Sequence, residues 1–199
     1  MKKTVSLLVL VLMCGFTAFA QDVPKAELFL GYNFVRINST STISAYSTNG
    51  GSGQIAYNVG RWVSAVADFG GYHNGVINGK HIDNTIVSYL FGPRLNLRTG
   101  KLNPYVNILF GGIWAGASTA LQTCTGTSCT SAGQLAGSQN AFAMAVGGGL
   151  DYKINKHVAF RPIGLDYFLT RLHNPLDASD HNQNNLRYSA GINFYFGGQ

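Results

Sequence analysis

Apolar and polar residues alternate with a period of two along most of the chain after residue 20. The stretch NAFAMAV shows this most clearly, because Phe142, Met144 and Val146 lie at even-numbered positions and Ala143 and Ala145 at odd-numbered positions. We call this property, odd or even, the parity of a position. Successive side chains of a β-strand point to opposite faces. Each such stretch therefore predicts a strand with one apolar and one mixed face. Since no long stretch has helical periodicity, the chain is predicted to be all-β.

Eight strands follow from this pattern, and their lengths suit a tilted crossing of a membrane's hydrocarbon core, which takes about 9–11 residues. Charged residues within them, such as Asp68 and Arg94, have the parity of the mixed face. The predicted strands are residues 26–36, 51–59, 61–73, 85–97, 103–116, 140–153, 157–171 and 186–196.

The seventh predicted strand breaks the alternation. Arg161 and Asp166 have opposite parity, so a regular strand would place one of them on the apolar face. Pro162 and Gly164 lie between them. Proline cannot donate a ladder hydrogen bond, and glycine often marks an irregularity in a strand. We therefore predict a bulge near Pro162 to Gly164 that turns both charges to the mixed face.

The connections between strands alternate between long and short. Long polar segments follow strands one, three, five and seven, whereas short turns near Gly60, Arg98 and Asn155 follow strands two, four and six. This predicts an antiparallel up-and-down meander, as in outer-membrane barrels, which have short periplasmic turns and long extracellular loops. The long segments are residues 38–50, 74–84, 118–139 and 172–185.

Composition indicates which face is outside. Charged residues make up 11% of the chain, against about 25% in typical soluble domains, and the mixed face is rich in small residues. Such a face fits the interior of a narrow barrel, whereas the uncharged apolar face suits lipid. Aromatic residues near both ends of the strands fit interfacial girdles. A soluble exported lipid-binding barrel, which would hide its apolar face inside, is the alternative.

Residues 1–20 have the pattern of a secretory signal peptide. Two lysines precede an apolar run that closes on the sequence AFA, so we predict cleavage after Ala20 and a barrel domain of residues 21–199. A transmembrane anchor would need about 20 apolar residues, more than this run has. A lipoprotein site at Cys14 is a further alternative. Cleavage removes two of 14 basic residues and leaves 12 against 8 acidic, a net +4, which is too weak and scattered for nucleic-acid binding.

Two cysteines, Cys124 and Cys129, remain in the exported chain. A cysteine pair in an exported protein is a candidate disulfide, which here would close a small loop in the third long segment. A zinc pair is the alternative, although no second pair of ligands lies nearby in the sequence.

The charged residues of the mixed face predict a network inside the barrel. Buried charges persist only when they are paired, so the interior carboxylates should face the interior arginines. Such pairing would give a plugged core with no wide pore. The predicted members are Glu27, Asp68, Arg94, Asp151, Arg161, Asp166 and Arg187.

Histidines are the remaining candidates for chemistry. A metal site built from those of the long segments would lack tight ligand spacing, so solvated histidines are expected. His73 is the one plausible base for a lipid-editing enzyme, but no serine and acid complete a catalytic set. We therefore predict no catalytic residue, no metal and no cofactor. The conceivable metal-binding set is His73, His81, His173, Asp180 and His181.

The C-terminal pattern Ser189-x-Gly191-x-x-Phe194-x-Phe196 resembles the signal that the outer-membrane assembly machinery recognises in barrel proteins. Together with the signal peptide and the strand pattern, it makes the chain resemble a small eight-stranded barrel of the OmpA type. The chain departs from many members of that family in having three residues, 197–199, after the last aromatic. The resemblance covers the barrel alone, without a peptidoglycan-binding domain.

The resemblance implies a monomer in the outer membrane of a Gram-negative bacterium, with both termini in the periplasm. Its implied partners are outer-membrane lipid, lipopolysaccharide and the assembly machinery. The implied function is structural or surface-interaction work without enzymatic activity, in which the extracellular loops contact an adhesion partner or another ligand. A narrow channel, a lipid A-modifying enzyme and a soluble lipid-binding barrel are the alternatives.

Overall fold

The computed structural model of the protein describes residues 23–38, 45–77, 80–125, 128–174 and 179–197. Each strand pairs antiparallel with its neighbour in sequence, and the last strand returns to pair with the first, so the sheet closes into an eight-stranded barrel. The strands are β1 Ala26–Ile37, β2 Tyr46–Asn58, β3 Val63–Ile77, β4 Lys80–Asn96, β5 Leu102–Thr125, β6 Ser128–Lys153, β7 Val158–Asn174 and β8 Ser179–Phe196.

The period-two pattern of the sequence becomes the two faces of the barrel wall. On β1, Leu30 is 52% exposed on the outer face, whereas its neighbour Phe29 is 1% exposed and points inside. On β4, Phe91 is exposed and Leu90 is buried in the same way. The apolar face is therefore the outer face, and the predicted eight-stranded antiparallel barrel is confirmed.

The interior is divided along the barrel axis. At the end that carries the chain termini and the short turns, which we call the terminal end, polar and charged side chains point inward. Toward the opposite end, which we call the hairpin end, the interior fills with a buried apolar cluster. Members of this cluster toward the hairpin end include Val35, Ile37, Ile86, Ile113 and Phe168. None of the described residues forms a helix long and apolar enough to cross a membrane.

The strands extend further at the hairpin end than predicted. Most of the predicted loop 118–139 forms the ends of β5 and β6, which pair with each other as far as Thr125 and Ser128. The predicted loops 74–84 and 172–185 likewise continue as strands over most of their length. Ladder hydrogen bonds come from the backbone, so polar residues extend a hairpin whose register the barrel has already set.

The predicted irregularity in β7 is confirmed. The pairing of β7 with β8 shifts register between Arg161 and Gly164. The shift returns both charges to the interior, since Arg161 is 0% exposed and Asp166 is 4% exposed. A proline without a ladder donor and a flexible glycine thus allow two charges of opposite parity to face the same way.

Candidate functional site

Arg161 of β7 lies buried in the middle of the polar interior. Its guanidinium donates to both carboxylate oxygens of Asp151, at 2.6 and 3.1 Å, and to Gln54 Oε1 at 2.9 Å. The guanidinium carbon lies 4.1 Å from the ring centroid of Phe29 and 4.3 Å from that of Tyr105. A bidentate ion pair and two cation–π contacts stabilise a charge that would otherwise be costly to bury.

Gln54 of β2 links the parts of the interior network. Its Oε1 accepts hydrogen bonds from both Arg94 and Arg161, and its Nε2 donates to Asp68. Arg94 also lies over the ring of Tyr105, at 4.5 Å from the centroid. The sequence predicted that Arg94 would face a carboxylate, whereas its described hydrogen bond goes to this neutral amide. Gln54 itself was absent from the prediction.

Arg187 of β8 forms the second ion cluster, nearer the hairpin end. It donates to both oxygens of Asp68, at 2.9 and 3.2 Å, and to Asp166 at 3.0 Å. The hydroxyl of Tyr72 accepts a further hydrogen bond at 3.3 Å, and the ring of Phe168 lies 5.7 Å away. One arginine thus pairs with two buried carboxylates that come from different strands.

Glu27 closes the network at the terminal end. Its carboxylate pairs with Arg98, and it accepts hydrogen bonds from Asn58 and Asn193 at 2.9 and 3.2 Å. Asn193 also donates to Asp151 at 3.2 Å, which joins Glu27 to the Arg161 cluster. Arg98 was predicted to belong to a short turn; the turn is there, but its side chain folds back into the barrel mouth and is 9% exposed.

The network balances its charges and fills the barrel. Four arginines and four carboxylates make up the network, so the formal charges of these eight side chains sum to zero. Three of the arginines are no more than 1% exposed, so neighbouring groups pack around their side chains. The site therefore links strands of the wall across the interior. Its ionic members are Glu27, Asp68, Arg94, Arg98, Asp151, Arg161, Asp166 and Arg187.

The predicted C-terminal assembly signal lies on the strand that closes the barrel. Ser189 points inward and is buried, whereas Phe196 is 52% exposed on the outer face. Phe194 and Phe196 pair with Leu28 and Ala26 of β1. The structure gives these residues a place in the closing seam, and their recognition by an assembly machinery stays a prediction.

Cys124 and Cys129 are direct partners in the register of the β5–β6 hairpin, while their side chains lie outside the described part of the structure. Opposite residues of an antiparallel pair have Cα atoms about 4.5–5.5 Å apart, and disulfides usually join Cα atoms about 4.4–6.8 Å apart. The backbone thus places the two cysteines at a separation that a disulfide can span, and the bond remains a prediction.

Alkylation should reveal this bond. Denatured protein taken from cells should gain no iodoacetamide groups without reductant and two groups after reduction, as measured by intact mass. In the chain-entropy model the small loop contributes about 2 kcal/mol, confined to the hairpin. The Cys124→Ser, Cys129→Ser variant should therefore keep the heat-modifiable migration of the folded barrel. Alkylation of both thiols without reductant would contradict the prediction.

Most of the conceivable metal-binding set lies outside the described side chains. His73 lies on the outer face, where its Nδ1 is 3.3 Å from the hydroxyl of Thr85, and the side chains of His81, His173 and His181 lie outside the described residues. No group of three potential metal ligands is found among the described side chains.

A closed antiparallel barrel that is apolar outside and charged inside defines an integral outer-membrane barrel protein. The chain belongs to the outer membrane protein beta-barrel domain family, whose model matches residues 6–197. It is a small barrel of the OmpA type, and this class places it in the outer membrane. A search of curated proteins finds no match.

Solved structures share the fold at low sequence identity. The chain is similar to Ail, the attachment invasion locus protein of Yersinia pestis, with 16% identity, 87% of this chain and 99% of that chain covered, and a TM-score of 0.59. Neisserial surface protein A matches at 16% identity, with 86% and 97% covered and a TM-score of 0.62. The outer membrane protein OprG of Pseudomonas aeruginosa matches at 13% identity, with 88% and 97% covered and a TM-score of 0.50.

Proposed function

We propose that this protein is a non-enzymatic surface-interaction barrel, in which a closed transmembrane body carries a long hairpin that contacts ligands outside the cell. The observation that carries the proposal is the contrast between the two parts. The interior is filled by buried ion pairs around Arg161 and Arg187. The β5–β6 hairpin, in contrast, continues beyond the neighbouring strands.

The reach of this hairpin follows from the strand register. Pairing of β4 with β5 ends at Ser118, whereas β5 and β6 pair with each other to Thr125. Seven residues (125 minus 118) therefore extend past the last contact with β4, which is about 24 Å at about 3.4 Å per residue. On the other side, pairing of β6 with β7 begins at Phe142. We call residues 119–141 the hairpin arm.

The composition of the hairpin arm indicates the kind of ligand. It contains no Asp, Glu, Lys, Arg or Pro, although charges and prolines are the usual means of protecting exposed strand edges. Its backbone edges can therefore pair with an extended polypeptide segment by strand addition. Ail has been solved in complex with the heparin analogue sucrose octasulfate; the uncharged arm of this chain suits a polypeptide better than a sulfated sugar.

Shortening the hairpin arm tests this function. Ser118 and Ala136 are opposite in the register, so replacing residues 119–135 by Asn-Gly, which favours a tight hairpin turn, should leave the barrel intact. Cells that display the full protein should attach to a gelatin surface, which presents extended polypeptide, more than cells with the shortened protein. The attachment of both to a dextran surface serves as the control.

Two results would contradict the proposal. Equal attachment of the two cell types to gelatin, with equal amounts of heat-modifiable protein in their outer membranes, would exclude the arm as the contact. Single-channel conductance in planar bilayers from the purified protein would favour the narrow channel instead. The closed interior leads us to expect no conductance above that of the bilayer.

The remaining assignments concern export and assembly. The signal peptide of residues 1–20, which lie outside the described part of the chain, is removed after Ala20 and directs the barrel to the periplasm. Ser189, Gly191, Phe194 and Phe196 act as the signal for the assembly machinery. The folded barrel is a monomer in contact with outer-membrane lipid and lipopolysaccharide.

A further inference from the structure

A groove runs along the outer wall over β3, in the periplasmic half of the barrel. Its floor consists of Ala65 and Ala67, whose small side chains face the lipid. Larger outward side chains of the two neighbouring strands stand on either side, and the open groove between them has a volume of about 490 Å³. These wall residues are Ile55 and Tyr57 on β2 and Phe91 and Pro93 on β4. We call this feature the β3 groove.

The β3 groove has one closed and one open end. Toward the middle of the membrane, Phe69 and Phe91 form an edge-to-face pair with ring centroids 5.8 Å apart and planes at 84°. Toward the periplasm the groove reaches Val63, next to the turn between β2 and β3. From Val63 to Ala67 it measures about 14 Å at about 3.4 Å per residue. One leaflet of the hydrocarbon core is about 15 Å deep, so the groove suits an acyl chain that enters from the periplasmic surface.

The open end of the groove carries positive charge. Arg61 lies in the adjoining turn, with its guanidinium 5.2 Å from the ring of Trp62, and Trp62 is 46% exposed. The other exposed charged side chains described around the terminal end of the barrel are also cationic, whereas the carboxylates described there are buried inside the barrel. These exposed cations are Lys25, Arg61, Lys101 and Lys156.

From this geometry we infer that the β3 groove binds one acyl chain of an anionic phospholipid of the periplasmic leaflet, whose phosphate lies at Arg61. The apolar groove accounts for the chain, and the cationic rim accounts for the headgroup. A soluble anionic polymer would use the rim alone. A second copy of the barrel would bring another cationic rim to the same place, which charge repulsion disfavours. A phospholipid is the one occupant that uses both parts.

Bromine quenching of Trp62 tests the inference. Trp62 and Trp114 are the two tryptophans of the chain, so Trp114→Phe leaves Trp62 as the reporter at the periplasmic rim. The protein is refolded into phosphatidylcholine vesicles that contain an equal fraction of either brominated phosphatidylglycerol or brominated phosphatidylcholine. One basic residue near an anionic surface favours binding by about fivefold. Brominated phosphatidylglycerol should therefore quench Trp62 as strongly as brominated phosphatidylcholine would at about five times its concentration.

Three variants identify the source of this preference. Ala67→Leu fills the groove and should abolish it, and Arg61→Gln should reduce it strongly. Ala190→Leu is the matched control, because Ala190 is a similarly half-buried, outward-facing alanine on β8, and it should keep the preference. Quenching is normalised to the unquenched emission of each variant, since Arg61 contacts the reporter.

Several outcomes would overturn the inference. Equal quenching by the two lipids in the parent protein would exclude an anionic lipid site. An unchanged preference in Ala67→Leu would show that the rim alone attracts lipid, without a chain in the groove. Cross-linking between copies together with loss of quenching would make the groove a dimer surface. A shift of Trp62 emission by soluble peptidoglycan fragments instead of lipid would make the rim a cell-wall site.

Discussion

Replacing Arg187 with methionine should destabilise the folded barrel by about 3–5 kcal/mol, the usual cost of leaving a buried charge without its partner. The side chain donates hydrogen bonds to both Asp68 and Asp166, and all three groups are at most 4% exposed. Methionine would leave two carboxylates facing each other in the interior. Urea unfolding in lipid vesicles, followed by tryptophan fluorescence, measures the loss.

Arg94 provides the matched comparison. It is as buried as Arg187 but donates to the neutral oxygen of Gln54 and lies over a tyrosine ring. Arg94→Met should therefore cost less, about 1–3 kcal/mol for the lost contacts of one buried group. Arg36→Met removes an exposed hydrogen bond to Ser47 and should cost less than about 1 kcal/mol.

The ranking of these variants by loss of stability shows whether ion pairing or packing makes the buried arginines important. If Arg94→Met destabilises the barrel as much as Arg187→Met, filled volume matters more than charge. A variant that combines Arg187→Met with Asp68→Asn and Asp166→Asn should recover part of the loss, because neutral amides are cheaper to bury than unpaired carboxylates.

Parity was enough to predict the two faces of the wall, because one residue of register error would move every side chain to the wrong face. It also located the bulge in β7, since Arg161 and Asp166 conflict in a regular strand and Pro162 and Gly164 offer a place to resolve the conflict. When the two faces of a strand differ in chemistry, the sequence alone therefore predicts which side chains point outward and where the strand is irregular.

Gln54 and Arg98 show where parity gives no guidance. Gln54 has interior parity, but a neutral amide does not require a partner in the way a charge does, so the pattern of charges did not single it out. Its signal was its size, as a long polar side chain among the small residues of β2. Arg98 belongs to a turn, where alternation does not apply, and its inward direction depends on Glu27 across the barrel mouth.

The hairpin arm was missed for a related reason. Beyond the membrane both faces of a hairpin contact water, so polar residues occupy both parities and the period-two signal disappears. The backbone ladder nevertheless continues from the barrel, as the β5–β6 register shows to Thr125 and Ser128. Strand ends outside lipid are therefore hard to separate from loops by hydrophobic pattern alone.

Gly147→Val should prevent closure of the barrel. A Cβ atom on Gly147 would lie 2.2 Å from the carbonyl oxygen of Leu165 and 2.6 Å from the Cα of Asp166 on the adjacent strand. Backbone atoms cannot move away as a flexible side chain can. The loss in free energy of unfolding should therefore reach the upper end of the range for overpacked substitutions, about 3 kcal/mol or more. The fraction of protein that refolds into vesicles with heat-modifiable migration measures the effect.

Gly71→Val is the control that separates steric from conformational effects. A Cβ atom there would meet nothing within 4 Å, and the position is exposed on the outer face, where a valine contacts lipid favourably. Both substitutions put the same β-branched residue in place of a strand glycine, so any general gain in strand propensity is shared. We expect Gly71→Val to refold as well as the parent protein, Gly147→Val to lose folding and Gly147→Ala to lose less. This result would show that the narrow interior requires a glycine at position 147. Equal refolding of both valine variants would mean that the wall can widen around Gly147, and the close approach of β6 and β7 would then not be needed for closure.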